Sequence, residues 1–237
     1  MPTQTPRIAL VLGASRGLGA ALAEVLGAAG WQIVAVARTT GALEELDDRI
    51  RRAGGPPATL APMDVTQDEA MRTLCRGVHD RWGRADLWVH AAVHAAPLSP
   101  AGHISPKDWE RSVAVNARAT GLLIPMIEPL LKGAPAGAAM FFDDRHNGAG
   151  ATAAGPTAPE SARFHGAYAA TKAAQIALAR CWQAEGARLG PRVLIEAPPP
   201  MPTGTRARFR PGEDRSRLTP CAEIAAGLLA ALPAELR

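Results

Sequence analysis

Cysteine, lysine, aromatic side chains and long apolar runs are all scarce in this 237-residue chain, and each scarcity removes a class of protein. The three cysteines, Cys75, Cys181 and Cys221, are odd in number and far apart, without paired spacing. That is not a disulfide framework or a zinc site, and it fits a reducing compartment. No stretch reaches the roughly 20 uninterrupted apolar residues of a membrane-spanning helix. The longest candidate, 120–131, is broken by Pro125, Glu128 and Pro129. Residues 1–7 are polar and carry prolines, unlike a signal peptide, so a cytoplasmic protein without a membrane partner is expected. A net charge of +4 is too mild to suggest a nucleic-acid partner. His90 and His94 lack a nearby carboxylate or cysteine partner in sequence, so no metal site is expected.

Alanine and aliphatic residues are abundant, and 47% of the chain is apolar, enough for a core without staples. The length suits one domain over 1–237, with no internal repeat and no evident boundary. Short apolar runs at 8–12, 32–37, 59–63, 87–93, 138–142 and 193–197 read as strands. Between them, helical patterns cover 18–29, 41–53, 68–82, 109–131 (with a proline interruption) and 167–189, and a last helix covers 221–232. This alternation predicts a doubly wound, three-layer, Rossmann-like α/β fold with a parallel sheet. Two stretches, 145–163 and 198–219, read as long loops, the second rich in Pro and Arg.

Gly13-Ala14-Ser15-Arg16-Gly17-Leu18-Gly19 joins the first strand to the first helix. Glycines there let the backbone approach a pyrophosphate that rests on the helix N-terminus. An acidic residue at the end of the second strand would favour NAD through the ribose hydroxyls. Arg38 stands there instead, and Arg16 adds a second cation, a pair suited to the 2′-phosphate of NADP(H) in preference to NAD(H). For each arginine an ordinary surface position is the alternative.

Tyr168 is the one tyrosine, and Lys172, one of three lysines, follows it by four residues on a helix, which places both on one face. A tyrosine is a poor acid or base at neutral pH until a neighbouring ammonium stabilises its phenolate. So tuned, it can exchange a proton with a carbonyl or alcohol oxygen while a cofactor carries the hydride.

With Gly13–Gly19, Asp64 after the third strand, Asn116 in Val115-Asn116-Ala117, and Tyr168-Ala-Ala-Thr-Lys172, the chain resembles the short-chain dehydrogenase/reductase family over nearly its whole length. The resemblance implies an NADP-dependent oxidoreductase of bacterial type, interconverting a carbonyl and an alcohol as a homodimer or homotetramer packed near Leu122 and Ala173. It gives Asp64 an adenine contact, Lys172 the nicotinamide ribose, and Asn116 a proton relay running through water and the lysine. The implied cofactor-facing set is Gly13, Ser15, Arg16, Gly17, Leu18, Gly19, Arg38, Asp64, Val65, Ala91, Tyr168 and Lys172. The implied catalytic set is Tyr168, Lys172, Asn116 and Asp144.

Four departures stand out. Ala91-Ala92-Val93 replaces the family's Asn-Ala-Gly, and Leu12 replaces the threonine before the glycine loop. Removing polar partners together can be nearly neutral, but Val93 adds a side chain where cofactor contact favours glycine. The family's serine position maps to Asp144, or to Asp143. An ionised carboxylate cannot donate to a carbonyl and works against the phenolate, whereas a protonated one can donate. Thr152, Thr157 or Ser161 offers a replacement hydroxyl. After the sixth strand the family's Pro-Gly becomes Pro198-Pro199, and no seventh strand is expected. Arg206, Arg208, Arg210, Arg215 and Arg217 form either a solvated loop or a clamp for an anionic substrate. The alternative to an enzyme is a nucleotide-binding, catalytically weak protein that acts through partners.

Overall fold

The computed structural model describes residues 6–144, 163–186, 188 and 190–236. Six strands form one parallel sheet: β1 Ile8–Leu12, β2 Gln32–Ala37, β3 Thr59–Pro62, β4 Leu87–His90, β5 Ala138–Phe142 and β6 Arg192–Glu196. Their order is β3-β2-β1-β4-β5-β6, so the strand order reverses between β1 and β4 and the sheet is doubly wound. Leu12 lies opposite Val36 on one side and His90 on the other, which brings the ends of the three central strands level. Among the described residues the sheet has no seventh strand.

Alternate residues of each strand face opposite layers. Leu10, Leu12, Val34, Trp88 and Phe141 pack on one side with α3 (Asp68–Trp82), α5 (Ala119–Lys132) and α6 (Gly166–Glu185). Trp88, Phe141 and Trp182 form an aromatic cluster there, with ring centroids 5.2, 6.0 and 6.4 Å apart. Val11, Ile33, Ala35, Val89 and Met140 pack on the other side with α1 (Gly17–Ala28), α2 (Thr40–Arg52) and α8 (Cys221–Ala231). Burial on both faces is why the strands read as continuous apolar runs.

Three local readings differ from the sequence-based expectation. β4 stops at His90 because β1 has already turned away at Gly13, and the amide of Ala91 takes the last carbonyl, that of Leu12. The helix expected over 109–131 begins earlier, as α4 (Pro106–Ser112), where the Ser105 hydroxyl accepts from the Asp108 amide and Pro106 suits a first-turn position. It then runs through both prolines. Pro125 and Pro129 lie on the exposed face, where water can serve the carbonyls they leave unpaired, and the irregular stretch is instead a π-helical segment at Val113–Arg118. Finally, the loop expected over 198–219 contains a short helix, α7 (Gly204–Phe209), started by Thr203, whose hydroxyl accepts from the Arg206 amide.

Candidate functional site

A cleft of about 520 Å³ opens at the carboxyl ends of the strands, where the strand order reverses. Its floor at one end is the glycine loop. Gly13 has φ +87°, and a Cβ there would lie 2.6 Å from the Ala92 nitrogen; one on Gly19 would lie 2.4 Å from the Gly13 carbonyl oxygen. The turn is therefore drawn hard against Ala91 and Ala92, whose small side chains permit the approach. α1 starts at Gly17 with no side-chain cap and no acid in its first turn, so its amides suit an anion entering from the cleft. The loop thus fits a dinucleotide pyrophosphate on geometry as well as on pattern.

Gly13, Ser15, Arg16, Gly17, Leu18, Gly19, Arg38, Asp64, Val65 and Ala91 all line this cleft. Arg16 and Arg38 are exposed at its edge. Asp64 is fastened within it. Its Oδ2 accepts from Arg111 at 2.7 Å, and its Oδ1 accepts from the amide and hydroxyl of Thr66 at 3.0 and 2.8 Å. Burial works to raise the Asp64 pKa, but Arg111 and Thr66 outweigh it and hold the group below the ordinary carboxylate range. Val93 is 37% exposed on the cleft wall and leaves the cleft open.

Tyr168, Lys172 and Asp144 line the far end. α6 presents Tyr168 and Lys172 one turn apart, both buried, as the i, i+4 spacing requires. Asp144, just beyond β5, accepts the Tyr168 hydroxyl proton on Oδ2 at 2.8 Å. Burial pushes the Tyr168 pKa well above 10, and the charges of Asp144 and Asp143 push it the same way. In this state Tyr168 is a firmly protonated phenol. Burial also lowers Lys172 to about 8, against the opposing pull of Asp144 and Asp143. The Lys172 ammonium donates to the Phe142 carbonyl at 2.8 Å and to the Gln175 side chain. Thr152, Thr157 and Ser161 lie outside the described residues.

Asn116 is fully buried in the π-helical segment and stands behind the cleft rather than on its wall. Its Oδ1 accepts from the His94 amide at 2.7 Å, and its Nδ2 donates to the His94 carbonyl at 2.9 Å and to Thr171 at 3.0 Å. The side chain thereby ties the loop after β4 to α6. His90 is enclosed at the end of β4. Burial, aided by the Lys172 charge, lowers it to about 3, so it is neutral at ordinary pH.

α7 covers the tyrosine. The Phe209 ring packs edge-on against Tyr168, 4.9 Å between centroids, and against His165 at 4.8 Å. His165 thus supports the cover and does not line the cleft. Arg206 forms a two-pronged pair with Glu213, and Arg208 donates to the Ala95 carbonyl at 2.8 Å. The loop arginines nearest the site are therefore engaged within the chain.

Sequence reasoning missed Gln175, Thr120, Arg111 and Phe209. A glutamine three residues after Lys172, on the same buried helical face, was the one legible sign among them.

A family model described as short chain dehydrogenase matches residues 7–214. D-threitol dehydrogenase of Mycolicibacterium smegmatis is 28% identical over 192 residues, 81% of this chain and 69% of that protein. Among solved structures, an oxidoreductase from Escherichia coli is 26% identical with a TM-score of 0.83, covering 96% of this chain and 91% of the other. A short chain dehydrogenase from Escherichia coli solved with NADPH is 25% identical with a TM-score of 0.80, covering 94% and 88%.

Proposed function

The chain belongs to the short-chain dehydrogenase family, and we propose that it is an NADP(H)-dependent member interconverting a carbonyl and an alcohol, with Tyr168 as the acid/base. One observation carries the reading: a single cleft has the glycine loop, Arg16 and Arg38 at one end and Tyr168 with Lys172 at the other. The bound cofactor supplies or accepts the hydride. Arg16 and Arg38 would hold its 2′-phosphate, and the α1 amides would meet its pyrophosphate. The solved relatives that hold NADP or NADPH support that preference.

During reduction the Tyr168 hydroxyl donates its proton to the substrate oxygen, and the Lys172 ammonium steadies the phenolate that is left. Oxidation runs the same transfers backwards. Asp144, at the serine position, accepts the hydrogen bond of the tyrosine hydroxyl, passes a proton from cleft water to the phenolate after reduction, and, when protonated, can donate to the substrate oxygen itself. The substrate end of the cleft suits a neutral molecule, because Arg206 is neutralised by Glu213 and Arg208 is bound to the Ala95 carbonyl. Asn116 acts as a fastener of the loop after β4. A homodimer or homotetramer packed through α5 and α6, near Leu122 and Ala173, remains part of this proposal, as does a cytoplasmic site of action.

A second reading, a nucleotide binder of weak activity, draws support from Tyr168 itself, which lies beneath Phe209 and has its pKa held high by burial and two carboxylates. A screen of aldehydes, ketones and polyols separates the two readings. The enzyme reading expects NADPH consumption or formation that drops by about 100-fold or more in Tyr168→Phe, within the usual range for a general acid. NADPH binding without turnover on any member of the panel selects the weak binder.

A further inference from the structure

Gln175 is fully buried on α6, and every polar atom of its amide is used. Its Oε1 accepts from the Lys172 ammonium. Its Nε2 donates to the Asn116 carbonyl at 3.1 Å and to the Thr120 hydroxyl at 3.0 Å. The orientation is dictated by these partners, since a flipped amide would set its NH2 against the ammonium and its oxygen against a carbonyl. Thr120 in turn lies 3.0 Å from His90 Nε2 and 3.3 Å from the Asn116 carbonyl. With His90 donating, Thr120 has its own proton to give to Asn116, and the set is consistent throughout.

We propose that Gln175 is a positioning residue for Lys172: its amide spans the gap between the lysine ammonium and the Asn116 carbonyl, seals the proton route behind the lysine, and leaves Asp144 as the group that exchanges protons with Tyr168. The inference rests on the reading of Tyr168 as the acid/base. The gap is the one across which the family resemblance places a water-borne relay. An amide neither gains nor loses protons at working pH, so it conducts none, and it leaves water no room between the two groups it joins. On the other side of the tyrosine, the Asp144 carboxyl already holds the hydroxyl at 2.8 Å and lines the open cleft. After each reduction the Asp144 carboxylate takes a proton from a hydronium ion of the cleft water and passes it to the phenolate, which restores the phenol hydrogen-bonded to the carboxylate. No step passes through Lys172, whose charge is held in place by Gln175 and the Phe142 carbonyl.

The test needs neither cofactor nor substrate. With lysines only at 107, 132 and 172, ε-carbon-labelled lysine gives three NMR resonances, and Lys172 is identified by its loss in Lys172→Arg. In the wild type Lys172 titrates near 8. Gln175→Met, similar in length and without an acceptor, is expected to lower the proton affinity of Lys172 about tenfold or more, one pKa unit. Gln175→Glu places a carboxylate at the acceptor and is expected to raise it by at least as much. Lys107 and Lys132 stay where they are in both variants. The Tyr168 titration, read from its single labelled ring, is expected to respond to Asp144→Asn and to remain unmoved in Gln175→Met. Lys172 titrating as in wild type in both folded Gln175 variants overturns the strut. A Tyr168 titration that follows Gln175 rather than Asp144 overturns the route. Should Lys172 respond as expected while the substrate screen finds no turnover, the strut stands and the reading of activity falls.

Discussion

Replacing Asp144 with asparagine removes the anion that accepts the Tyr168 hydroxyl, and the consequence can be worked from the 2.8 Å contact. Two unit charges at that separation repel by about 6 kcal/mol at an effective dielectric constant of about 20. The carboxylate spreads its charge over two oxygens, and the cleft admits water, so roughly half of that is the fair expectation. The sign follows from the charge: the anion disfavours the phenolate, so its removal lowers the Tyr168 pKa. Burial and Asp143 remain, so the group stays a phenol at neutral pH. Because the chain has a single tyrosine, one ring-labelled NMR resonance or the tyrosinate absorbance reports Tyr168 without ambiguity. A titration curve in Asp144→Asn that overlays the wild type would refute the coupling and, with it, the role given to Asp144.

Two further outcomes follow from buried groups. His90 titrates near 3 in the folded chain instead of 6.5, so folding releases its proton throughout that interval. Stability is full above pH 6.5 and falls on acidification towards pH 3, at up to about 1.4 kcal/mol per pH unit from this residue; urea unfolding of the wild type against His90→Gln across that window should show the variant with the shallower acid loss. Gly13→Ala forces a Cβ to 2.6 Å from the Ala92 nitrogen at a φ of +87°, and about 2 kcal/mol or more of destabilisation is expected in the same assay; an unchanged midpoint would mean that the loop and Ala92 separate easily.

Much of the fold was legible because both faces of the sheet are covered. Runs such as 8–12 and 138–142 are apolar throughout, and their observed bounds match the expected ones. α3 was equally clear: acids open it at Asp68 and Glu69, and Gly83 closes it in the left-handed conformation. What was hidden depends on tertiary partners. α7 is only six residues, Gly-Thr-Arg-Ala-Arg-Phe, too short to be stable alone, and is held by the Thr203 cap and by Phe209 wedged on Tyr168. The glycine loop, Arg38 and the Tyr168–Lys172 spacing could be read from local sequence, and all of them line one cleft. The contacts that set their chemistry could not. The hold of Gln175 on Lys172 was beyond pattern reading, and Asp144 was legible only as a displaced serine, without its bond to the tyrosine. The arginines of the last loop looked available to a substrate, but Arg206 and Arg208 are taken up by Glu213 and Ala95, partners that no local motif announces.

The central claim is that the cleft is built for NADP(H), and a thermal-shift titration with NADPH and with NADH tests it most directly. A ligand that binds only the folded chain stabilises it by mass action, about 2.7 kcal/mol at a hundredfold excess over its dissociation constant. The account predicts a clear rise in Tm with NADPH, a smaller one with NADH at equal concentration, and loss of the difference in Arg38→Ala. Equal shifts with both nucleotides, or no shift with either, would contradict it.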